Sequence, residues 1–223
     1  MNTYYDLLAK IHKHLRPKLY VEIGVHEGHS LAFVQPGTRT IGVDPEPKVA
    51  EPPNDCTIVA STSDDFFADP RALAGERIDL AFADGLHLWE QTLRDVANLE
   101  RHSSPDGTIL IHDCNPIDEI TSARKRTTVV WSGDVWKTVV ALRRYRPDLS
   151  VSTVDVEPTG LAIVTGLDPG STVLHDHYDK IVANIDELTY ADMEFGDRTE
   201  LLGLIPGEWA LTEAILSSNL PSF

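Results

Sequence analysis

From Leu19 to Ile111, short β-rich apolar runs alternate with amphipathic stretches, and few architectures accommodate that rhythm. Strands are predicted at Leu19 to Val25, Thr40 to Val43, Cys56 to Ala60, Ile78 to Ala83 and Thr108 to Ile111. Helices are predicted near Ser30 to Val34, over Asp64 to Ala74 with Pro70 interrupting, and over Leu88 to Glu100. Runs apolar on both faces, separated by helices, imply a parallel sheet covered on both sides and wound with right-handed crossovers. Further on, Val135 to Tyr145 reads as a helix stopped before Pro147, and Ser150 to Val156 and Leu161 to Thr165 read as two more strands. Their short connection through Pro158 and Gly160 suggests a hairpin, hence an antiparallel C-terminal edge strand. The expected fold is therefore α/β: a doubly wound, mostly parallel, seven-stranded sheet of the Rossmann-like kind.

Outside this repeat, Leu7, Leu8, Ile11 and Leu15 recur at helical spacing up to Pro17, with Thr3 and Asp6 placed as a capping pair. The far end carries one helix, Tyr178 to Leu188, and a mixed tail with Leu201, Leu202, Leu204, Ile205 and Trp209. This divides the chain into an N-terminal helix (1–18), a nucleotide-type α/β domain (19–166) and a C-terminal helical extension (167–223). The apolar tail and the first helix also suggest a homo-oligomer.

Composition narrows the functional classes. The 223 residues are 42% hydrophobic and 24% charged, an ordinary globular balance. Nineteen Lys+Arg against thirty-five Asp+Glu give a formal charge of −16, which repels phosphate backbones and anionic lipid, so neither nucleic acid nor membrane is an expected partner. The basic runs, Arg124 to Arg126 and Arg143-Arg144, read as solvated faces. Cys56 and Cys114 show no metal or disulfide spacing, and neither a signal peptide nor a membrane span is read; a cytoplasmic setting is expected.

In doubly wound sheets ligands sit beyond the carboxyl ends of the strands. After the first strand stand Glu22, Gly24, Gly28 and Ser30, a glycine turn whose backbone can approach a ligand closely. His26 takes the place of the second glycine of the dinucleotide fingerprint, and Glu22 sits badly beside a diphosphate but well beside a positive charge. Asp44 ends the second strand, where a carboxylate accepts from both hydroxyls of a ribose. Ser61, Ser63 and Asp64 follow the third strand and could meet an adenine edge, or cap the next helix. Asp84 and His87 follow strand four, and His112 and Asp113 follow strand five, so adjacent strands bring two carboxylates and two imidazoles to one rim. Such a set suits a divalent cation, Mg²⁺ where oxygen donors dominate and a softer ion where imidazole joins them.

These residues, in order from Tyr20 to Thr165, resemble the class I methyltransferases that use S-adenosylmethionine. The segments Val21 to Ser30, Ala83 to His87 and Gly107 to Asp113 are similar to a bacterial branch that includes metal-dependent O-methyltransferases of antibiotic sugars. The resemblance implies a donor site built by Glu22, Gly24, Gly28, Ser30 and Asp44, with Asp84 at the end of strand four. It implies metal positions at Asp84, His112 and Asp113, with His112 standing where the branch often has a carboxylate, and His87 as general base toward a small, sugar-like hydroxylated acceptor. Pro116 to Val135, with Arg124, Arg126 and Trp131 and with Trp136 just beyond it, reads as an irregular lid over that acceptor. Two other readings remain: a nucleoside-binding module without turnover, and an α/β hydrolase using Ser30 as nucleophile.

Overall fold

The structure is a computed structural model that describes residues 2–219. Helix α1 (Tyr4–Leu15) precedes β1 (Leu19–Ile23), β2 (Arg39–Asp44), β3 (Cys56–Ala60), α2 (Ser63–Ala68), β4 (Ile78–Ala83), α3 (Trp89–His102), β5 (Ser103–His112), α4 (Trp136–Tyr145), β6 (Ser150–Asp155) and β7 (Leu161–Thr165). The remainder forms α5 (Val173–Asp176), α6 (Tyr178–Asp186), α7 (Tyr190–Glu194), α8 (Arg198–Leu202), β8 (Leu204–Pro206) and α9 (Trp209–Ser218). All strands join one sheet in the order β3-β2-β1-β4-β5-β7-β6-β8. The first five are parallel neighbours, and β7 runs antiparallel to both β5 and β6.

The expected α/β class is what forms, with three differences of detail. The sheet has eight strands rather than seven, because Leu204–Pro206 leaves the tail and pairs parallel with β6. The antiparallel strand β7 lies inside the sheet, so the hairpin tucks inward and β8 takes the edge. The helices expected after β1 and β3 are short. The first is one 3₁₀ turn at Ser30–Phe33, stopped by Pro36; the second ends at Ala68, two residues before Pro70. In both cases proline drives the preceding residue out of the helical region.

Alternation along the strands divides the core between the two faces. Leu19, Val21 and Ile23 of β1 pack with Trp89, Leu93 and Val96 of α3 and with Trp136, Val139 and Val140 of α4. Tyr20, Leu80, Phe82 and Leu110 face Leu7, Leu8 and Ile11 of α1 and Leu216 of α9 on the other side. The tail contributes Leu174, Ile181, Ile185, Met193 and Leu202 to the first core. It is therefore built into the same packing as the sheet. One buried ion pair locks α4 to α3: the Arg146 guanidinium, 1% exposed, is held by Glu100, and Asp148 accepts from it at 2.7 Å.

Candidate functional site

The strand order reverses at β1, and beyond the carboxyl ends of β1, β2 and β4 lies a cleft of about 840 Å³. That volume is ample for a nucleoside-sized ligand and a small second molecule. One wall is the turn after β1. Gly24 has φ +89°, and a Cβ there would overlap the Asp84 carbonyl oxygen, so β1 and β4 can approach this closely only through glycine. His26 donates its backbone N–H to Asp44 Oδ2 and Glu46 donates to Oδ1, both at 2.8 Å, which fixes the Asp44 carboxylate on the cleft rim. Each oxygen retains a lone pair for a hydroxyl.

Glu22 and Gly28 sit behind this wall rather than on it, whereas Gly24, Ser30, Asp44, Ser61, Ser63, Asp64, Asp84, His87, His112 and Asp113 line the cleft. Glu22 is buried and accepts from the Tyr20 hydroxyl at 2.7 Å and from Ser30 Oγ. Burial pushes its pKa up to about 7 even though both donors favour the carboxylate. Ser30 is thereby committed to Glu22 within a 3₁₀ turn, an arrangement that gives it no nucleophilic role and removes the hydrolase reading.

At the opposite end of the donor half, Ser63 Oγ donates to Asp95 Oδ1 at 2.5 Å, and the Gln91 side-chain amide reaches Asp95, Ser63 and Asp64 at 3.1 to 3.3 Å. Helix α2 is capped by Thr62, which frees Ser63 and Asp64 from that duty. Asp95 and Gln91 escaped the sequence reading. The available signal was a carboxylate one step from Val96 on the apolar face of α3. Burial raises the Asp95 pKa to about 6 against the pull of Ser63 and Gln91.

Beyond β4 and β5 the four predicted residues meet. His87 Nδ1 lies 2.9 Å from Asp113 Oδ2 and its Nε2 lies 3.5 Å from Asp84 Oδ1. His112 Nδ1 lies 3.1 Å from Asp84 Oδ1 and 3.5 Å from Asp113 Oδ2. Thr159 Oγ1 donates to Asp113 Oδ1 at 2.5 Å. Burial disfavours charge on His87, but Asp113 and Asp84 outweigh it and carry the pKa up to about 10. Burial opposes charge on His112 as well, and the same carboxylates again prevail and raise its pKa. Both carboxyls are correspondingly held below their usual range against the effect of burial, His112 being the largest favourable cause for each. Left-handed backbone at His87 (φ +57°) and Asp113 (φ +64°) turns these side chains toward one another.

Aromatic rings enclose the cluster. Trp131 stacks on His87 with centroids 4.9 Å apart and planes 9° apart, and Tyr4 packs on His112 at 3.9 Å with Tyr5 stacked behind it. Tyr4 reaches the cleft because α1 is pinned there: Tyr4 donates its backbone N–H to Glu157 O and Glu157 donates to Asn2 O, each at 2.9 Å. The expected lid, residues 116–135, consists of turns and bends, and the Gly133 backbone passes so close to the His87 carbonyl that any side chain there would collide with it.

A doubly wound sheet with a glycine turn after β1 and a rim carboxylate at the end of β2 is the arrangement found in class I S-adenosylmethionine-dependent methyltransferases, and this chain has that fold. Residues 21–114 match the family described as a methyltransferase domain. The solved structure of cofactor-bound Rv0187 from MTB is similar over 73% of this chain and 78% of its own, at 16% identity and a TM-score of 0.57. The O-methyltransferase TomG from Streptomyces achromogenes, involved in tomaymycin synthesis, covers the same shares at 13% identity and a TM-score of 0.58. An O-methyltransferase from Bacillus cereus in complex with SAH aligns over 73% of this chain and 80% of its own, at 12% identity and a TM-score of 0.55. At such identities the likeness is one of fold. No curated protein sequence matches the chain. Among the described residues no helix is long and apolar enough to cross a membrane.

Proposed function

We propose that the protein transfers a methyl group from S-adenosylmethionine to a hydroxyl of a small, sugar-like acceptor. His87 takes the proton, and Asp84, His112 and Asp113 supply the charged surround. The observation that carries this reading is the His87 imidazole fixed between two carboxylates at the cleft end nearest the lid. The donor supplies an electrophilic methyl on a positively charged sulfur. Asp44 would accept from its ribose hydroxyls, and Gly24 lets the sugar approach the backbone of β1. Ser61, Ser63 and Asp64 face the base, with Asp95 and Gln91 holding Ser63 and Asp64 in place. Glu22 acts from behind by fixing the turn through Ser30.

In-line displacement asks the protein to align the acceptor oxygen and to remove its proton. Trp131 holds the His87 plane and the Trp131 carbonyl accepts at Nδ1 (2.9 Å), which leaves Nε2, 3.5 Å from Asp84 Oδ1, to take the proton. A pKa near 10 keeps this ring protonated at neutral pH, so it accepts a proton only when other positive charge faces Asp84 and Asp113 and relieves their pull. The donor set fits a divalent cation in that role. Asp84, His87 and Asp113 offer ligand atoms all within 4.8 Å of one another, and the buried His112 Nε2 lacks a partner. Asp84 and Asp113 would hold the ion, whose chemistry is to lower the pKa of a bound hydroxyl, leaving His87 to take the proton.

The test is methyl transfer from labelled S-adenosylmethionine to a panel of hydroxylated acceptors, with Mg²⁺, with Mn²⁺ and with chelator. We expect His87→Gln to lose about 10²- to 10⁴-fold in kcat while S-adenosylhomocysteine binds within about twofold of wild type. Donor binding with no turnover on any acceptor would favour the nucleoside-binding module instead, and unimpaired turnover by His87→Gln would remove the base assignment.

A further inference from the structure

Of the two arginines that flank the lid's basic run, the fold uses up one and leaves the other. Arg124 is paired with Glu90 at 2.5 Å and Asp134 at 2.7 Å. Arg126 has no carboxylate within ion-pair distance among the described residues. Its Nε and Nη2 donate to the Thr128 and Val129 carbonyls at 3.3 and 3.0 Å, which shapes the loop but leaves Nη1 and the second Nη2 hydrogen for a further acceptor. The guanidinium lies over the Trp131 ring, 6.0 Å from its centroid, and the same indole carries His87. Base and cation thus share one aromatic platform, within the length of a single small molecule.

The rest of the cleft sharpens the contrast. Its wall carries Glu27, Asp44, Asp64, Asp84, Asp95 and Asp113, and Arg126 is its sole lysine or arginine among the described residues. Beside Arg126 the lid exposes Val129, 90% accessible, and Val130, and Leu86 across from them is 60% accessible. Apolar side chains this open at the rim of a charged cleft offer contact area to the body of a ligand.

We propose that Arg126 is a specificity-determining residue: the methyl acceptor carries a carboxylate that the Arg126 guanidinium binds while its ring lies along Trp131 and its hydroxyl reaches His87. This rests on the methyltransferase reading above and adds the acidic class of acceptor to it. A planar guanidinium favours a carboxylate over a neutral hydroxyl because two parallel N–H groups match its two oxygens. A hydroxylated ring acid meets that requirement whether the ring is a sugar or an arene.

Isothermal titration in saturating S-adenosylhomocysteine separates the cases, using glucuronate against methyl glucoside and 3,4-dihydroxybenzoate against catechol. We expect at least one acid to bind tenfold or more tightly than its neutral counterpart; the pair that shows the difference identifies the ring. Arg126→Gln should erase that preference, Arg126→Lys should keep part of it, and both should bind S-adenosylhomocysteine as wild type does. Neither acid outbinding its counterpart, or a preference that survives Arg126→Gln, overturns the proposal and leaves the methyltransferase reading intact. Failure of the wild type to bind S-adenosylhomocysteine overturns both.

Discussion

At the scale of single residues, the cleft depends on backbone conformations more than on side-chain identity. Gly24 combines φ +89° with a position where a Cβ would enter the Asp84 carbonyl oxygen, so Gly24→Ala must part β1 from β4 or distort the turn. We expect that variant to fold with a lowered melting temperature and to lose at least about tenfold in S-adenosylhomocysteine affinity, since the turn carries the backbone wall and, through the His26 N–H, the Asp44 carboxylate of the donor half. Gly133→Ala should act differently, displacing the His87 backbone and lowering kcat with donor affinity retained. Titration calorimetry on both variants, read beside turnover, distinguishes the two; equal donor loss in both would mean the cleft does not divide this way. Gly24, Asp44, Asp84, His87, His112 and Asp113 were legible because strand ends in such sheets point at ligands. Tyr4, Tyr5, Gln91 and Asp95 were not, since the first two reach the cleft only through a backbone bridge from Thr3 to Glu157 that no local pattern encodes.

At the scale of elements, periodicity located the strands and long helices because burial on one or both faces dictates it. It missed what neighbouring segments decide: β8 is three residues long and exists because β6 offers it an edge, and β7 lies inside the sheet because it inserts between β5 and β6. Helix α1 shows another consequence of packing. His12 sits on its buried face with the ring edge-on to Tyr20 at 4.6 Å and with both ring nitrogens unpartnered. Burial lowers its pKa from 6.5 to about 4. A folded-state pKa below the unfolded one means that the neutral ring's contribution is complete above pH 6.5 and is lost as the pH falls toward 4, by about 3 kcal/mol in all. His12→Leu should therefore remove much of the decline in chemical-denaturation stability between pH 6.5 and 4. A variant that declines as steeply as wild type would place the acid sensitivity elsewhere.

For the molecule as a whole, the formal charge of −16 and the acidic cleft wall act on the two substrates with opposite sign. The sulfonium donor carries net positive charge and is drawn in, whereas S-adenosylhomocysteine lacks that charge and a carboxylate-bearing acceptor is repelled until it meets Arg126. Fields of this kind are screened over about 10 Å at 0.1 M salt and shift association rates by about tenfold or more. Raising NaCl from about 20 to about 300 mM should therefore slow S-adenosylmethionine association several-fold and change that of S-adenosylhomocysteine much less, while an acidic acceptor associates faster. Stopped-flow fluorescence from Trp131 and the other tryptophans provides the rates. In Arg126→Gln the acceptor's gain with salt should grow, because the guanidinium's counter-charge has gone and the long-range repulsion remains. Matching salt responses for the two nucleosides would mean that the protein's net charge does not reach into the cleft, and that donor selection rests on the short-range groups around β1 and β2 alone.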